Sequence, residues 1–549
     1  MSVRRLSKLA VIAVALAAPS HGQVSSAPLA KVDTWGVGWL TRAESTPSDI
    51  WANTTTEAIA PLFAAMAPQQ LSPATRAALR RIMLSASKGP DDANGLVAER
   101  LRLLEQLGEA ERALDLRKRF ADQPWGAEYE RRASDFDLVN DRKDSACGRT
   151  AGKRPDDAAW MPVRAFCLAL SGDMDGATLI GENLPPAADG QPGAWLLGAI
   201  SAMDPAVKTK PEGRYDNAFD AAVSVAAKLS APPSAFAGMP SDVAAAIVLH
   251  PGATNEQKRG ALRAAIDSPR VKASNVVEIL LVKDETPAAK PARGSQTAPD
   301  FLSLAITAAG SAEAGPDAKS AAVAAALKGA EGQSDFRIAA MALSEAIKAL
   351  PRGPANAETF ARAALATGDT KAASEWRKEM DEAADPWAAA RTDLMLSYAG
   401  VNAGKTSQIL DRLVAAIPPA PESTATAART AAATPAARQL DLRRIENTRV
   451  MFLLAGTGRN LSPEQRALLF EQKAAGRGVS DAAIARIASA VDQKADGEAA
   501  MAALSLMGSD TSALSFAGLA DLLALLRKAG FEKEADAIAL ESLQVWKAL

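Results

Sequence analysis

Residues 516–549 read FAGLADLLALLRKAGFEKEADAIALESLQVWKAL and predict two antiparallel helices joined by one tight turn. The first helix carries an apolar stripe at spacings of three and four residues, formed by Phe516, Leu519, Leu523 and Leu526. Gly530 then supplies the left-handed backbone conformation that commonly ends a helix. The second helix places one set of residues on a single face: Phe531, Ala535, Ile538, Ser542, Val545 and Leu549. Because the turn is so short, the two helices must pack side by side.

The same hairpin pattern recurs along the chain. A turn glycine is followed five residues later by alanine in four pairs: Gly108/Ala113, Gly172/Ala177, Gly368/Ala373 and Gly530/Ala535. Glycine adopts a positive φ without strain, and alanine lets the second helix approach the first closely. A large apolar residue lies eight positions after each glycine, at Leu116, Ile180, Trp376 and Ile538. Leucine lies four positions before three of the glycines, at Leu104, Leu168 and Leu526, and Ala364 is the small exception.

These four hairpins resemble the tetratricopeptide (TPR-like) class of helical repeats, whose second helix opens with such a Gly-x4-Ala turn. The copies are irregularly spaced, and the tryptophan and tyrosine positions of the family consensus are not filled. Tyrosines number only three, and alternating apolar runs are scarce, which argues against β-strands. We therefore expect an all-α fold, an irregular α-solenoid of antiparallel helical hairpins with a disordered Ala/Pro-rich linker.

Two further segments predict helix starts. Leu71-Ser72-Pro73 and Leu461-Ser462-Pro463 each open an apolar-periodic stretch. Serine at the N-cap followed by proline at the first helical position is the expected chemistry of a helix N-terminus. A third start, without the serine–proline pair, is expected within residues 251–256.

The N-terminus predicts export. Arg4, Arg5 and Lys8 precede an apolar run over residues 9–18, which is the pattern of a secretory signal peptide over residues 1–22. Cleavage after Gly22, or after residue 17 or 18, leaves a mature chain in the periplasm. Cleavage after Gly22 leaves 59 basic and 64 acidic side chains, a net charge of −5. The alternative is a helical N-terminus retained in a cytosolic protein.

Composition also restricts the partners. The whole chain has a net charge of −2, so nucleic acid is not an expected partner. No later segment is apolar enough to predict a transmembrane helix in the mature chain. The two cysteines, Cys147 and Cys167, predict a disulfide in an oxidising compartment. The alternative is a pair of buried thiols on neighbouring helices that point apart.

Composition shifts predict the domain boundaries. The proline-rich stretch at 185–213 predicts loops around a short helix, and the one at 285–299 predicts a linker. Residues 417–437 predict a disordered or loosely helical linker. The expected organisation has a signal peptide and four further parts: an N-terminal helical-repeat block 23–200, a middle block 201–416, the linker 417–437 and a C-terminal helical module 438–549.

Three catalytic motifs can be matched, and each has a simpler explanation. Residues 399–406 approximate a phosphate-binding loop, but Ala399 replaces its first glycine and a helical pattern precedes it, so we expect a helical turn. Ser85 and Lys88 fit Ser-x-x-Lys without the companion motifs of penicillin-recognising enzymes. His250 has no nucleophile elbow and is expected to cap a helix or lie in a loop. The sequence therefore predicts no catalytic residue, no cofactor and no metal site.

Aromatic residues give the only indication of a contact surface. Trp35, Trp39 and Trp51 cluster near the start of the mature chain, and tryptophan is favoured in interface hot spots. They are candidate partner contacts, and the alternative is a hydrophobic cap on the first repeat. The leading hypothesis is an exported periplasmic scaffold or adaptor, not an enzyme, that binds another cell-envelope protein. The alternatives are a peptidoglycan- or polysaccharide-acting enzyme or glycan-binding protein, and a structural component of a motility or secretion machine; a small-molecule ligand stays open.

Overall fold

The fold is built from α-helices joined by turns and loops. The computed structural model describes residues 33–90, 93–184, 192–232, 234–282, 298–330, 332–401, 406–417, 435–470 and 476–544. Within these ranges there is no β-strand, and one isolated bridge pairs Arg477 with Leu514. The all-α prediction is therefore confirmed. Contacts group Thr34–Leu549 into one compact unit, and the predicted signal peptide lies outside the described residues.

The N-terminal helices are α1 (Thr56–Ala65), α2 (Pro73–Leu84), α3 (Val97–Gln106) and α4 (Ala110–Arg119), with short 3-10 helices at Pro68–Gln70 and Ala93–Leu96. Helix α2 begins where the serine–proline pair predicts it. The Ser72 hydroxyl accepts a hydrogen bond from the Thr75 amide at 3.3 Å, which satisfies one of the unpaired donors at the helix start.

The middle of the chain continues with α5 (Tyr129–Val139), α6 (Lys143–Gly148), α7 (Met161–Leu170), α8 (Met174–Glu182), α9 (Pro192–Ser201), α10 (Ala218–Ala226), α11 (Ser241–Leu249), α12 (Asn255–Ala265) and α13 (Ala273–Leu281). It is followed by α14 (Ala298–Gly310), α15 (Pro316–Gly329), α16 (Gln333–Ala349), α17 (Ala357–Ala366) and α18 (Thr370–Lys378). Helix α9 is the short helix expected within 185–213, and α12 confirms the third predicted start, with a capping box between Thr254 and Gln257.

The C-terminal part consists of α19 (Pro386–Tyr398), α20 (Thr406–Ala415), α21 (Pro435–Gly456), α22 (Pro463–Phe470), α23 (Asp481–Asp492), α24 (Asp496–Met507), α25 (Phe516–Lys528) and α26 (Glu532–Gln544), with a 3-10 helix at Thr511–Ala513. Most of the predicted linkers at 285–299 and 417–437 lie outside the described residues, as do Val545 and Leu549. Helix α21 begins at Pro435, and proline is well tolerated in the first turn of a helix. The predicted boundary at 437 stays a prediction.

The four Gly-x4-Ala hairpins are confirmed in their backbone and their packing. The turn glycines have positive φ angles of +78°, +90°, +79° and +84° at Gly108, Gly172, Gly368 and Gly530. The four partner alanines have no exposed surface: Ala113, Ala177, Ala373 and Ala535. The helices on either side of each turn contact each other, in the pairs α3/α4, α7/α8, α17/α18 and α25/α26. Small residues at these positions therefore let each helix pair pack closely.

Two hydrophobic clusters form the core, and they cut across the order of the chain. The first contains the N-terminal helices α1–α4 together with residues of α17–α21 and α23–α26, and the second contains α5–α17 with Trp376. Helix α1 contacts α24, and α2 contacts both α24 and α26. The beginning and the end of the described chain therefore share one core, whereas the predicted boundaries at 200 and 416 stay predictions.

Candidate functional site

The tryptophans proposed as partner contacts lie mainly in the interior. Trp35 is 2% exposed and Trp51 is 1% exposed. Their ring centroids are 5.4 Å apart in an edge-to-face arrangement, and Phe63 lies 5.9 Å from Trp35. Aromatic rings in such a cluster contribute packing and burial rather than a free surface. Trp39 is only partly buried and donates its Nε1 hydrogen to Asp115 at 2.8 Å. A partner contact at these tryptophans stays a prediction.

A buried arginine positions this N-terminal segment. The Arg100 guanidinium has no exposed surface and lies 4.9 Å from the Trp35 ring and 5.6 Å from the Trp39 ring. It donates to the backbone carbonyls of Thr34 at 2.6 Å and Val37 at 2.8 Å. Cation–π contacts and hydrogen bonds of a desolvated guanidinium are strong, so Arg100 fastens the segment to α3. The sequence carried no signal for this role.

The cysteine pair is brought together as the sequence predicts. The Cys147 and Cys167 sulfurs lie at disulfide-bonding distance, 2.05 Å, and connect α6 to α7. Both residues pack against the second hydrophobic cluster. A bridge of this kind persists in oxidising compartments.

The apparent catalytic motifs have structural roles where they are described. The Ser85 hydroxyl donates to the Arg81 carbonyl at the C-terminus of α2 and accepts from the Thr46 amide. His250 is the C-cap residue of α11, and its Nδ1 accepts from the Gly252 amide at 2.9 Å. Gly400 follows helix α19 with a φ of +79°, as a helical turn requires, whereas residues 402–405 lie outside the described part of the chain.

A cavity of about 560 Å³ lies between the N-terminal helices and the middle of the chain. We call it the arginine-rimmed cavity. Its apolar wall contains Phe236, Met239, Leu262, Leu280, Leu302 and Ile338. Its polar lining contains Gln69, Arg76, Gln106, Ser241, Arg259, Arg263, Ser334 and Asp335. A predominantly apolar enclosure with a few placed polar groups, in this size range, is typical of binding sites.

Helix geometry places the three arginines of this cavity. Arg76, on α2, donates to the carbonyls of Pro68 and Leu71 at 3.0 and 2.9 Å and forms an ion pair with Asp267. Arg259, on α12, donates to the carbonyl of Ile279 at 3.3 Å. One turn later on the same helix, Arg263 makes a two-oxygen contact with Asp335 at 2.6 and 2.8 Å.

Two buried carboxylates join helices near this cavity. Asp242, next to the cavity residue Ser241, accepts from the Ala110 amide at 2.9 Å and thereby caps α4 from α11. Glu541, on α26, accepts from the Ala74 amide at 3.0 Å at the N-terminus of α2. Burial is the main cause that raises the pKa of Asp242 to about 6 and that of Glu541 to about 7, against the opposing effect of their hydrogen bonds.

These carboxylates have raised pKa values in the range of general acids, but their geometry indicates a structural role. Each is less than one-tenth exposed and faces the start of another helix. Among the residues described, no group of three or more His, Cys, Asp or Glu side chains could hold a metal ion. No helix in the same part of the chain is long and apolar enough to cross a membrane.

Comparisons with protein-family models, curated proteins and solved structures found no match to this chain. The resemblance to TPR-like repeats therefore rests on the four hairpins. The residues of the arginine-rimmed cavity could not be predicted from the sequence, because they come from positions 69 to 339 and share no local spacing. The one usable signal was Gly260, an isolated glycine inside a helical stretch, which lies directly against the Phe236 ring.

Proposed function

We propose that this chain is an exported scaffold or adaptor of helical hairpins that binds another protein of the cell envelope. The arginine-rimmed cavity carries the proposal, because it is a preformed enclosure lined from α2, α3 and α11–α16. Helical-repeat proteins commonly use the surface between stacked hairpins for binding, and the irregular solenoid arrangement is part of this proposal.

Export into the periplasm is supported by the cysteine pair. Cys147 and Cys167 are at bonding distance, and disulfides are rare in reducing compartments. The pattern at residues 1–22 supports the same location. Both observations support a partner among the proteins of the cell envelope.

Site-specific cross-linking in cells tests the binding function. A photoreactive amino acid is introduced at Ser334, which lines the cavity, and separately at Lys348, which lies on the same helix α16 outside the lining. We expect a discrete cross-linked protein from position 334 that is absent from position 348, identified by mass spectrometry. Equal labelling from both positions, or none from position 334, would reject the cavity as the binding site.

Zymography on purified peptidoglycan addresses the competing hypothesis of a glycan-acting enzyme. The described carboxylates with the most strongly raised pKa values, Asp242 and Glu541, cap helices instead of lining the cavity, which supports binding over hydrolysis. We therefore expect no cleared band from the purified protein. A cleared band that disappears in Glu541→Gln would support the enzyme hypothesis instead.

A further inference from the structure

The wall of the arginine-rimmed cavity fits apolar side chains. Leu262 and Ile338 face it from α12 and α16, and both are buried, as are Phe236 and Met239 from the segment before α11. Transfer of an apolar side chain from water into such an enclosure is favourable. The occupant must therefore carry apolar groups.

The charge of the cavity is opposite to that of the whole chain. Its described lining contains three arginines, Arg76, Arg259 and Arg263, and one acidic residue, Asp335. The chain as a whole has a net charge of −2. This local positive excess next to apolar walls favours a ligand with negative charge, because complementary potentials increase both specificity and the rate of association.

Arg263 offers donors at the mouth of the cavity. Its side chain is 67% exposed, and both of its contacts with Asp335 use Nη2. The Nη1 hydrogens of the guanidinium suit an oxygen of a second carboxylate. Arg76 and Arg259 are held by backbone carbonyls, so little side-chain order has to be gained on binding.

We propose that the arginine-rimmed cavity receives a short protein segment that combines apolar side chains with carboxylates. This inference rests on the proposed scaffold function and names the chemistry of the partner. The apolar side chains occupy the wall formed by Leu262, Ile338 and their neighbours, and a carboxylate of the segment pairs with Arg263 at the mouth.

Binding of synthetic peptides to the full chain tests the proposal. The probes are two rhodamine-labelled peptides, one of alternating leucine and glutamate and one of alternating leucine and lysine, measured by fluorescence anisotropy at low ionic strength. We expect the glutamate peptide to bind at least about ten-fold more tightly than the lysine peptide. Equal affinities, or tighter binding of the lysine peptide, would overturn the proposal.

Variants that introduce glutamate test whether the charge preference of peptide binding arises in the cavity. Arg263→Glu should weaken the glutamate peptide by about ten-fold or more. Ser334→Glu adds a negative charge to the cavity without breaking an ion pair, so it should also weaken binding of the glutamate peptide. An acidic residue is favourable in the first turn of α16, so we expect this variant to keep the fold. Lys348→Glu, on the same helix and outside the lining, is the matched control and should leave affinity unchanged. An equal loss in Lys348→Glu would show a general charge effect and contradict the proposal.

A fatty acid separates a lipid-like ligand from a protein segment. The contrary result is that dodecanoate binds the protein saturably, with an affinity that Arg263→Glu lowers, while neither peptide binds. In that case the occupant is not a protein segment and the proposal fails. The outcome is distinct from failure of the scaffold function. Cross-linking from position 334 without binding of the glutamate peptide would retain the scaffold and reject only this segment chemistry.

Discussion

Trp51 packs its indole ring directly against Gly497, the second residue of α24. The Gly497 amide donates to the carbonyl of Ile50 at 2.7 Å, and a Cβ atom at position 497 would overlap the Trp51 ring. The two residues are separated by most of the chain, so this contact joins its N-terminal segment to its C-terminal helices. Ser72, whose amide donates to the carbonyl of Gly508 at 2.9 Å, adds a second link between the same regions.

Gly497→Ala should destabilise the protein by about 1–3 kcal/mol, because a methyl group forces the fully buried Trp51 ring to move. The measurement is the free energy of unfolding in urea. The matched control is Gly310→Ala at the end of α14, where a Cβ would meet no atom within 4 Å. We expect that variant to be as stable as the wild type or slightly more stable. Equal stability of the two variants would show that the Trp51 contact is not close-packed.

Substitution of single tryptophans distinguishes packing from partner contact. Trp51→Ala should cost about 3–5 kcal/mol, since it removes a buried ring from the core. Trp39→Ala should cost about 1–2 kcal/mol, since it loses the hydrogen bond to Asp115 and the contact with Arg100. If Trp39 also anchors a partner, Trp39→Ala abolishes a cross-link formed near it while the far-ultraviolet circular dichroism stays unchanged.

Loss of the disulfide should weaken the α6–α7 pair. The disulfide between Cys147 and Cys167 joins residues that are 20 positions apart in the sequence. Constraint of the unfolded chain by a loop of this size stabilises the folded state by about 3 kcal/mol in the chain-entropy description. The double variant Cys147→Ser/Cys167→Ser should lose about that amount in denaturant unfolding. A reductant should lower the stability of the wild type to the same level and leave the double variant unchanged; a reductant effect on the double variant would contradict the assignment.

Glu541 makes the contact between α26 and α2 sensitive to pH. Burial raises the pKa of Glu541 from its ordinary value of 4.5 to about 7 in the folded protein. The folded state therefore binds this proton more tightly than the unfolded state does. The stabilising effect of protonation is complete below about pH 4.5 and is lost as the pH rises through 7, a difference of about 3 kcal/mol. Asp267 and Arg337 act on the same carboxyl in opposite directions, and burial is the dominant cause.

Glu541→Gln removes this titration while it keeps an acceptor for the Ala74 amide. Unfolding free energies measured between pH 4 and pH 8 should therefore fall less steeply for Glu541→Gln than for the wild type. Asp242→Asn serves as a comparison. The carboxyl of Asp242 has a raised pKa of about 6, so its titration should change the unfolding free energy over a lower pH range. Parallel pH profiles for the wild type and Glu541→Gln would show that the carboxylate is not buried as described.

Local features of this fold were predictable, and long-range ones were not. The glycine and alanine of each hairpin act within a few residues, so Gly108 and Ala113 adopt the predicted turn and buried position. Trp35 could be recognised as part of an aromatic cluster, but its burial depends on Arg100 and Phe63, which no local pattern connects to it. Hydrophobic periodicity gives the face of each helix but not its distant partner.

The cavity illustrates the same limit. Arg76 and Arg263 lie far apart in sequence, and each looks like an ordinary exposed arginine on an amphipathic helix. Only in the folded chain do α2 and α12–α16 line one enclosure. A single sequence therefore predicted the hairpins and the cysteine pair, whereas the candidate site required the three-dimensional arrangement.

Gly260 lies directly against Phe236, and both residues line the arginine-rimmed cavity. A Cβ at position 260 would overlap the Phe236 ring, which lines the cavity and also packs against Tyr215 with ring centroids 4.8 Å apart. Gly260→Ala should therefore push the ring out of place. The gain in helix propensity, about 1 kcal/mol for glycine to alanine, offsets part of the packing cost.

Gly260→Ala should consequently change ligand binding more than stability. We expect the affinity for the leucine–glutamate peptide to fall about ten-fold, equivalent to about 1.4 kcal/mol, while the unfolding free energy changes by less than about 1.5 kcal/mol. Gly148→Ala, at the end of α6 with open space around its Cβ, is the control and should alter neither quantity. Unchanged peptide affinity in Gly260→Ala, with the fold intact by circular dichroism, would show that the peptide binds outside this cavity.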